Sequence, residues 1–111
     1  MAAEQTRHVN LVGLEVTDDA GYAAYRAGMT PLLARYGGRF GYDFVVSEVR
    51  ASETRGAINR VFTILFPDRA SNTAFFADPA YLAVRRAHFT AAVRNVVIIA
   101  RYDEAEPATA Q

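Results

Sequence analysis

The chain has 111 residues, 51% of them hydrophobic and 22% charged, and its twelve cationic and twelve anionic side chains cancel to a formal net charge of zero. That balance fits a single globular domain, residues 1–111, with one core, and excludes a disordered chain or a partner recruited by bulk charge, nucleic acid above all. Cysteine is absent, which removes disulfides, thiolate catalysis, zinc ribbons and iron–sulfur clusters.

All twelve cations are arginine and none is lysine. Arginine suits phosphate or carboxylate recognition, but here the arginines are scattered, which fits compositional bias better than a nucleic-acid footprint. The opening MAAEQTRHVN lacks the apolar run of a signal peptide, and no segment approaches the ~20 apolar residues that span a bilayer. The expectation is a soluble, cytoplasmic protein without a membrane partner, with residues 1–7 and 104–111 flexible.

In chain order, HVNLVGLEV (His8 to Val16) is β-branched and apolar and predicts a first strand. Thr17, Asp18 and Asp19 offer oxygens for a helix N-cap. Tyr22, Tyr25, Met29, Leu32 or Leu33 and Tyr36 then recur at spacings of three and four, one face of a helix that Gly37-Gly38 ends. Pro31 inside this pattern predicts either a kink near Ala27 or Gly28 or a break into two helices. RFGYDFVVSEV (Arg39 to Val49) predicts a second strand, ASETRGA (Ala51 to Ala57) a hairpin turn, and Ile58 to Phe66 a third strand. Pro67-Asp68 opens a helix through Phe75 and Phe76. Asp78-Pro79 restarts it with a cap and a first-turn proline, and it runs through Tyr81, Leu82, Arg85 and Phe89 to about Val93. Val96 to Ala100 is the fourth strand.

Strand, helix, strand, strand, helix, strand is the α+β, ferredoxin-like βαββαβ plan: a four-stranded antiparallel sheet with its helices on one face. The run Val61-Phe62-Thr63-Ile64-Leu65-Phe66 is apolar on both faces, whereas a half-solvated strand alternates. Helices cover one face. A second copy of the same sheet is the expected cover for the other, so the pattern predicts a homodimer.

YAAYRAGMTPLLARYGGRF (Tyr22 to Phe40) together with FPDRASNTAFFADPAYLAVRRAHF (Phe66 to Phe89) resembles the uncharacterised DUF-1330 family of dimeric α+β barrel proteins, over roughly Val9 to Tyr102. The resemblance implies a ferredoxin-like subunit whose sheet pairs with that of a second subunit. The same fold group contains cofactor-independent monooxygenases, muconolactone-type isomerases and haem-binding barrels, which is analogy at the level of fold. FGYDFVVSEV stands where that family pattern has a shorter, more basic and glycine-rich stretch, and HVNL replaces aromatic residues in the first strand. The resemblance carries over no catalytic residue.

Without lysine there is no Schiff-base amine or P-loop, and GxSxG and GxGxxG are absent. The two histidines, His8 and His88, form no HxxxH pair, so neither a metal site nor a cofactor is expected. His8 and Asn10 share a face of the first strand with Val12, Leu14 and Val16. That face is polar at one end and apolar at the other, the makings of a pocket mouth with His8 as general base, although a solvated strand end explains His8 equally simply. Arg60 falls in the apolar row Ile58, Phe62, Ile64 and Phe66. It either anchors a substrate anion or pairs with Glu48 or Asp43 on the neighbouring strand. Tyr25, Tyr36 and Tyr42 offer phenol donors to a pocket, or are core tyrosines with satisfied hydroxyls. His88 reads as a solvated helix residue, and Asp68 and Asp78 as caps.

The functional expectation is therefore a small cofactor-independent enzyme, monooxygenase- or isomerase-like, acting on a compact apolar or aromatic acid. In it His8 and Arg60 are catalytic and Asn10, Tyr25 and Tyr42 bind the ligand. The alternatives are a small-molecule binding module without catalysis and a structural or accessory homodimer.

Overall fold

The computed structural model describes residues 5–107. Its sheet contains β1 (Thr6–Val16), β2 (Arg39–Val45), β3 (Arg60–Phe66) and β4 (Val93–Ala105), in the order β2-β3-β1-β4 with every neighbour antiparallel. Between β1 and β2 lies α1 (Asp19–Arg35). Between β3 and β4 lie α2 (Arg69–Ala77) and α3 (Pro79–Val84), the latter continuing through a π-helical turn (Arg85–Phe89) into α4 (Thr90–Ala92).

Local chemistry sets the helix ends. The Asp18 carboxylate accepts from the Gly21 amide at 3.1 Å, Asp68 from Ser71 at 2.7 Å and Asp78 from Ala80 at 2.7 Å, each quieting an orphan donor of a first turn. Gly37, at φ 72°, takes the left-handed conformation that ends α1, with its amide on the Ala34 carbonyl and that of Gly38 on Leu33. Pro31 lies within α1, which continues through it as one element. The predicted alternative of two shorter helices is not observed.

The helices cover one sheet face. Val12, Leu14 and Val16 of β1 and Phe62, Ile64 and Phe66 of β3 are buried in one cluster with Tyr22, Tyr25, Met29 and Leu33 of α1 and with Phe75, Tyr81 and Phe89. Gly28 lets α1 approach α3, for a Cβ there would lie 2.9 Å from a Val84 methyl.

Three expectations need correction. β2 ends at Val45 and β3 begins at Arg60; the intervening segment is a loop closed by a 2.8 Å bond from the Val46 amide to the Asn59 carbonyl. The Asn59 side chain bonds both the amide and the carbonyl of Val16, tying this loop to the end of β1. Ile58 consequently leaves the Arg60 row and packs beside Gly13, within 3.2 Å of where a Cβ would be. The fourth strand has thirteen residues instead of five. Thr6, Arg7, Glu104 and Ala105, expected to be flexible, are paired strand residues, and Arg7 and Glu104 form an ion pair at 2.6 Å. The rest of the terminal expectation concerns residues 1–4 and 108–111, outside the described residues, together with Gln5, Glu106 and Pro107, which flank the sheet, the Glu106 amide donating to the Gln5 carbonyl at 2.9 Å.

On the face away from the helices, Val9, Thr63 and Leu65 are buried within a single chain. The flanks of that face are not. Tyr42 and Phe44 of β2, stacked at 5.7 Å, and Ile99 and Tyr102 of β4 stay exposed. Among the described residues no helix is long and apolar enough to cross a membrane.

Candidate functional site

Alternation along β1 sends His8, Asn10, Val12 and Leu14 toward the helices, and antiparallel register places Asp103, Arg101, Ile98 and Val96 of β4 opposite them. Polar residues therefore pair with polar and apolar with apolar across the two strands. One extra residue in β4, Ile99, is absorbed between the pairs Leu11–Ala100 and Val12–Ile98, a bulge at the boundary between the two zones.

In the polar zone His8 is only 2% exposed and its Nδ1 lies 2.7 Å from Asp103 Oδ1. The Asn10 amide donates to Asn72 Oδ1 of α2 at 2.8 Å. Arg101 stands opposite Asn10. A cleft of about 420 Å³ lies between β4 and the helical layer. Asn10, Arg85 and Arg101 bring polar groups to it; Val12, Val96 and Ile98 form the floor, and Phe76, Tyr81 and Leu82 the wall. No carboxylate lines the cleft, and among the described residues neither Arg85 nor Arg101 is ion-paired, unlike Arg7, Arg26, Arg60 and Arg94. An apolar pocket with a few convergent polar groups and uncompensated positive charge is suited to a compact organic anion.

A second concavity, of about 450 Å³, lies between Ala51–Thr54 with Ile58 and the β4 residues Val97, Ile98 and Ile99. Its one charged lining residue is Glu53, so the smaller cleft has the stronger chemical claim.

The five sequence-predicted residues do not converge. Asn10 lines the cleft, and His8 lies beside it on β1. Arg60 is opposite Leu14, six residues along β3 from Phe66, the partner of His8; at ~3.3 Å per residue the two stand about 20 Å apart. His8 and Arg60 thus do not form one catalytic pair. Arg60 instead grips Asp43 with Nε and Nη2, both at 3.0 Å, and Arg26 reaches the same carboxylate at 3.2 Å. Burial pushes the Asp43 carboxyl up, but the bonds from Arg60 and Arg26 outweigh it and hold the group below the usual carboxylate range. This is the cross-strand pairing weighed as the alternative for Arg60.

Tyr25 and Tyr42 are also separated. Tyr25 is buried with its hydroxyl 2.9 Å from that of Tyr81, and burial first, then the neighbouring phenol, pushes its pKa far up, so it stays neutral. Tyr42 is 65% exposed on the opposite face of the sheet. Tyr36 donates to the capping carboxylate of Asp78. Arg85, Arg101, Asn72 and Asp103 were not singled out by sequence reasoning. The available signal was the reach of β4: extending it past Ala100 with period two puts Arg101 and Asp103 on one face.

A four-stranded antiparallel sheet layered with helices, and a cleft between the edge strand and the helical layer, define a small α+β protein of ferredoxin-like plan. The chain belongs to the family described as Domain of unknown function (DUF1330), which matches residues 10–102. No curated protein matches the chain. Among solved structures it is similar to a protein of unknown function from Rhodopseudomonas palustris, at 19% identity and a TM-score of 0.71 over 96% of this chain and 86% of that one. It is also similar to a DABB family protein with a ferredoxin-like fold from Mesorhizobium loti, at 14% identity and a TM-score of 0.62, over 94% of this chain and 100% of that one. A dimeric protein of unknown function and ferredoxin-like fold from Bacteroides fragilis matches at 11% identity and a TM-score of 0.54, over 90% and 96% of the two chains. At these identities the likeness establishes fold.

Proposed function

We propose that the protein binds a compact, largely apolar carboxylic acid in the cleft between β4 and the helices, and that it works as a homodimer joined through the opposite face of its sheet. The observation that carries the binding reading is the cleft itself: two guanidinium groups without an ion-pair partner among the described residues and one amide, above an aliphatic floor and a largely aromatic wall, with no carboxylate among the lining residues. Such a cavity counts against a purely structural dimer whose polar groups are all satisfied internally.

The test is an NMR titration of the intact protein with small aromatic and alicyclic carboxylates. Saturable shifts are expected at Asn10, Val12 and Arg101, and Arg101→Ala should weaken binding about tenfold, the scale of one charge-assisted contact. Shifts confined to the 51–54 loop, or none with any acid, would overturn the reading.

A second reading, catalysis without a cofactor, is favoured by the His8–Asp103 pair at 2.7 Å. A carboxylate on Nδ1 orients the ring and leaves Nε2 as the basic nitrogen. In that reading Nε2 takes a proton from the carbon beside the ligand's carbonyl, the enolate oxygen faces Asn10 and Arg101, and the imidazolium returns the proton to that carbon or, in a β,γ-unsaturated acid, to the γ carbon of the dienolate. No oxidant or reductant is needed. His8 stands behind Asn10 and outside the cleft lining, which ranks binding first. Exchange of the ligand's C–H protons with deuterium, lost in His8→Gln while acid binding persists, is the expected result for catalysis. Binding without exchange in the unmodified protein leaves the module purely a binder.

A further inference from the structure

We propose that Arg85 selects the negative charge of the ligand and that the π-helical turn Arg85–Phe89 is the device that positions it; this rests on the cleft reading above and deepens it. The starting point is a spacing. Tyr81 and Phe89 are both buried and eight residues apart in one continuous helical segment from Pro79 to Ala92. At 3.6 residues per turn, eight residues fall about 80° out of line, at opposite margins of the ~100° stripe that a helix buries, whereas seven fall only about 20° out. A π turn absorbs one additional residue, so the eight behave as seven. Phe89 comes to rest 4.8 Å from the Tyr25 ring and Ala92 is fully buried.

A seven-residue spacing would align the same stripe in ordinary α-helix, with better hydrogen-bond geometry. Core packing alone therefore gives no reason for the extra residue; the cleft does. The turn begins at Arg85, which lies on the cleft wall with Tyr81 and Leu82. The Arg85 guanidinium carbon sits 4.6 Å from the centroid of the Phe89 ring. A ring face orients and attracts the cation without neutralising it, and no carboxylate pairs with it among the described residues. The charge is held in place and left available. Single π turns are frequent where a helix serves a site, and here the same rotation that seats Phe89 in the core sets its ring under the guanidinium.

The test uses the whole protein with benzoate and its neutral isostere benzamide as probes, affinities being read by NMR titration. The unmodified protein is expected to prefer benzoate at least tenfold. Arg85→Ala should reduce that preference about tenfold while benzamide affinity holds. Deleting Ala87, which is exposed within the turn, should restore regular α-helix and also lose the preference about tenfold, with far-UV circular dichroism and Tm near those of the unmodified protein. Should the deletion not fold, Phe89→Leu removes the ring under Arg85 and is expected to reduce the preference severalfold. Preference retained in the deletion, or in folded Phe89→Leu, overturns the positioning role. Preference lost in Arg101→Ala but kept in Arg85→Ala overturns the assignment of Arg85 while leaving the cleft reading intact. Equal affinity for both probes, or no saturable binding, in the unmodified protein sinks the cleft reading itself and this inference with it.

Discussion

Asp43 accepts from two arginines at once, and both guanidinium groups also lie over rings: that of Arg26 at 3.8 Å from the Phe40 centroid, that of Arg60 at 5.3 Å from Tyr22. Removing the carboxylate leaves two half-buried cations facing each other, so Asp43→Asn is expected to destabilise the fold by about 1–2 kcal/mol in urea denaturation, less than a fully buried pair because the site is partly wet. Its folded pKa is depressed, so the stabilisation is fully present above the unfolded value near 3.8 and is lost as pH falls through the lower folded value. The unmodified protein should therefore lose Tm more steeply below about pH 4 than Asp43→Asn does; parallel acid limbs would refute the linkage. Tyr25 poses a different question, since among the described residues its hydroxyl meets only that of Tyr81. Tyr25→Phe leaves Tyr81 without that partner and should cost about 1 kcal/mol. Burial raises the folded pKa of this phenol, so the loss should be constant below the unfolded value near 10 and should shrink as pH rises beyond it, where only the unfolded chain ionises; a difference that titrates between about pH 5 and 9 would contradict this assignment.

Between elements, the contact of α1 with α3 is set by one missing side chain. Gly28→Ala puts a methyl 2.9 Å from a β-branched Val84 that has little freedom to move. Overpacking of this kind costs about 1–3 kcal/mol, and the double variant with Val84→Ala should recover part of it; a neutral single variant would show that the helices simply shift apart. The same scale shows what the sequence made legible. Element order, the Asp78-Pro79 restart and the Gly37-Gly38 stop were readable because caps and left-handed glycines are local chemistry. The reach of β4 was not, since Arg101-Tyr102-Asp103-Glu104 is polar and becomes a strand only through register with β1. The π turn was hidden for a related reason: Tyr81, Arg85 and Phe89 at spacings of four read as one regular helix, and only the core shows how closely Tyr81 and Phe89 align. The site divides likewise. His8 and Asn10 were visible as the polar end of one strand face, but Arg85 and Arg101 reach the cleft from other elements, and Arg60, on the same sheet face, turned out to serve Asp43 at the far end.

For the molecule as a whole, the question left by the doubly apolar β3 has a partial answer inside one chain. Phe62, Ile64 and Phe66 lie under the helices, and Thr63 and Leu65 are buried on the other face beside Val9. What stays open is the pair of flanks, Tyr42 with Phe44 on β2 and Ile99 with Tyr102 on β4, at 40–65% exposure. These lie on either side of a buried centre, so a two-fold mate laid across the sheet would meet both flanks with the same residues of its own, as a closed, self-complementary interface requires. The helix-face cleft is on the other side of the sheet and need not be touched. Phe44→Glu combined with Ile99→Glu puts like charges on both flanks without disturbing a buried side chain. Light scattering behind gel filtration should then show a dimer for the unmodified protein and a monomer for the double variant, with Tm lowered by the lost association and the affinity for small acids retained. A monomer at every concentration of the unmodified protein would withdraw the sheet-paired assembly. A dimer that survives both glutamates would move the interface elsewhere, to the unpaired edges of β2 or β4, where strand addition needs no apolar face.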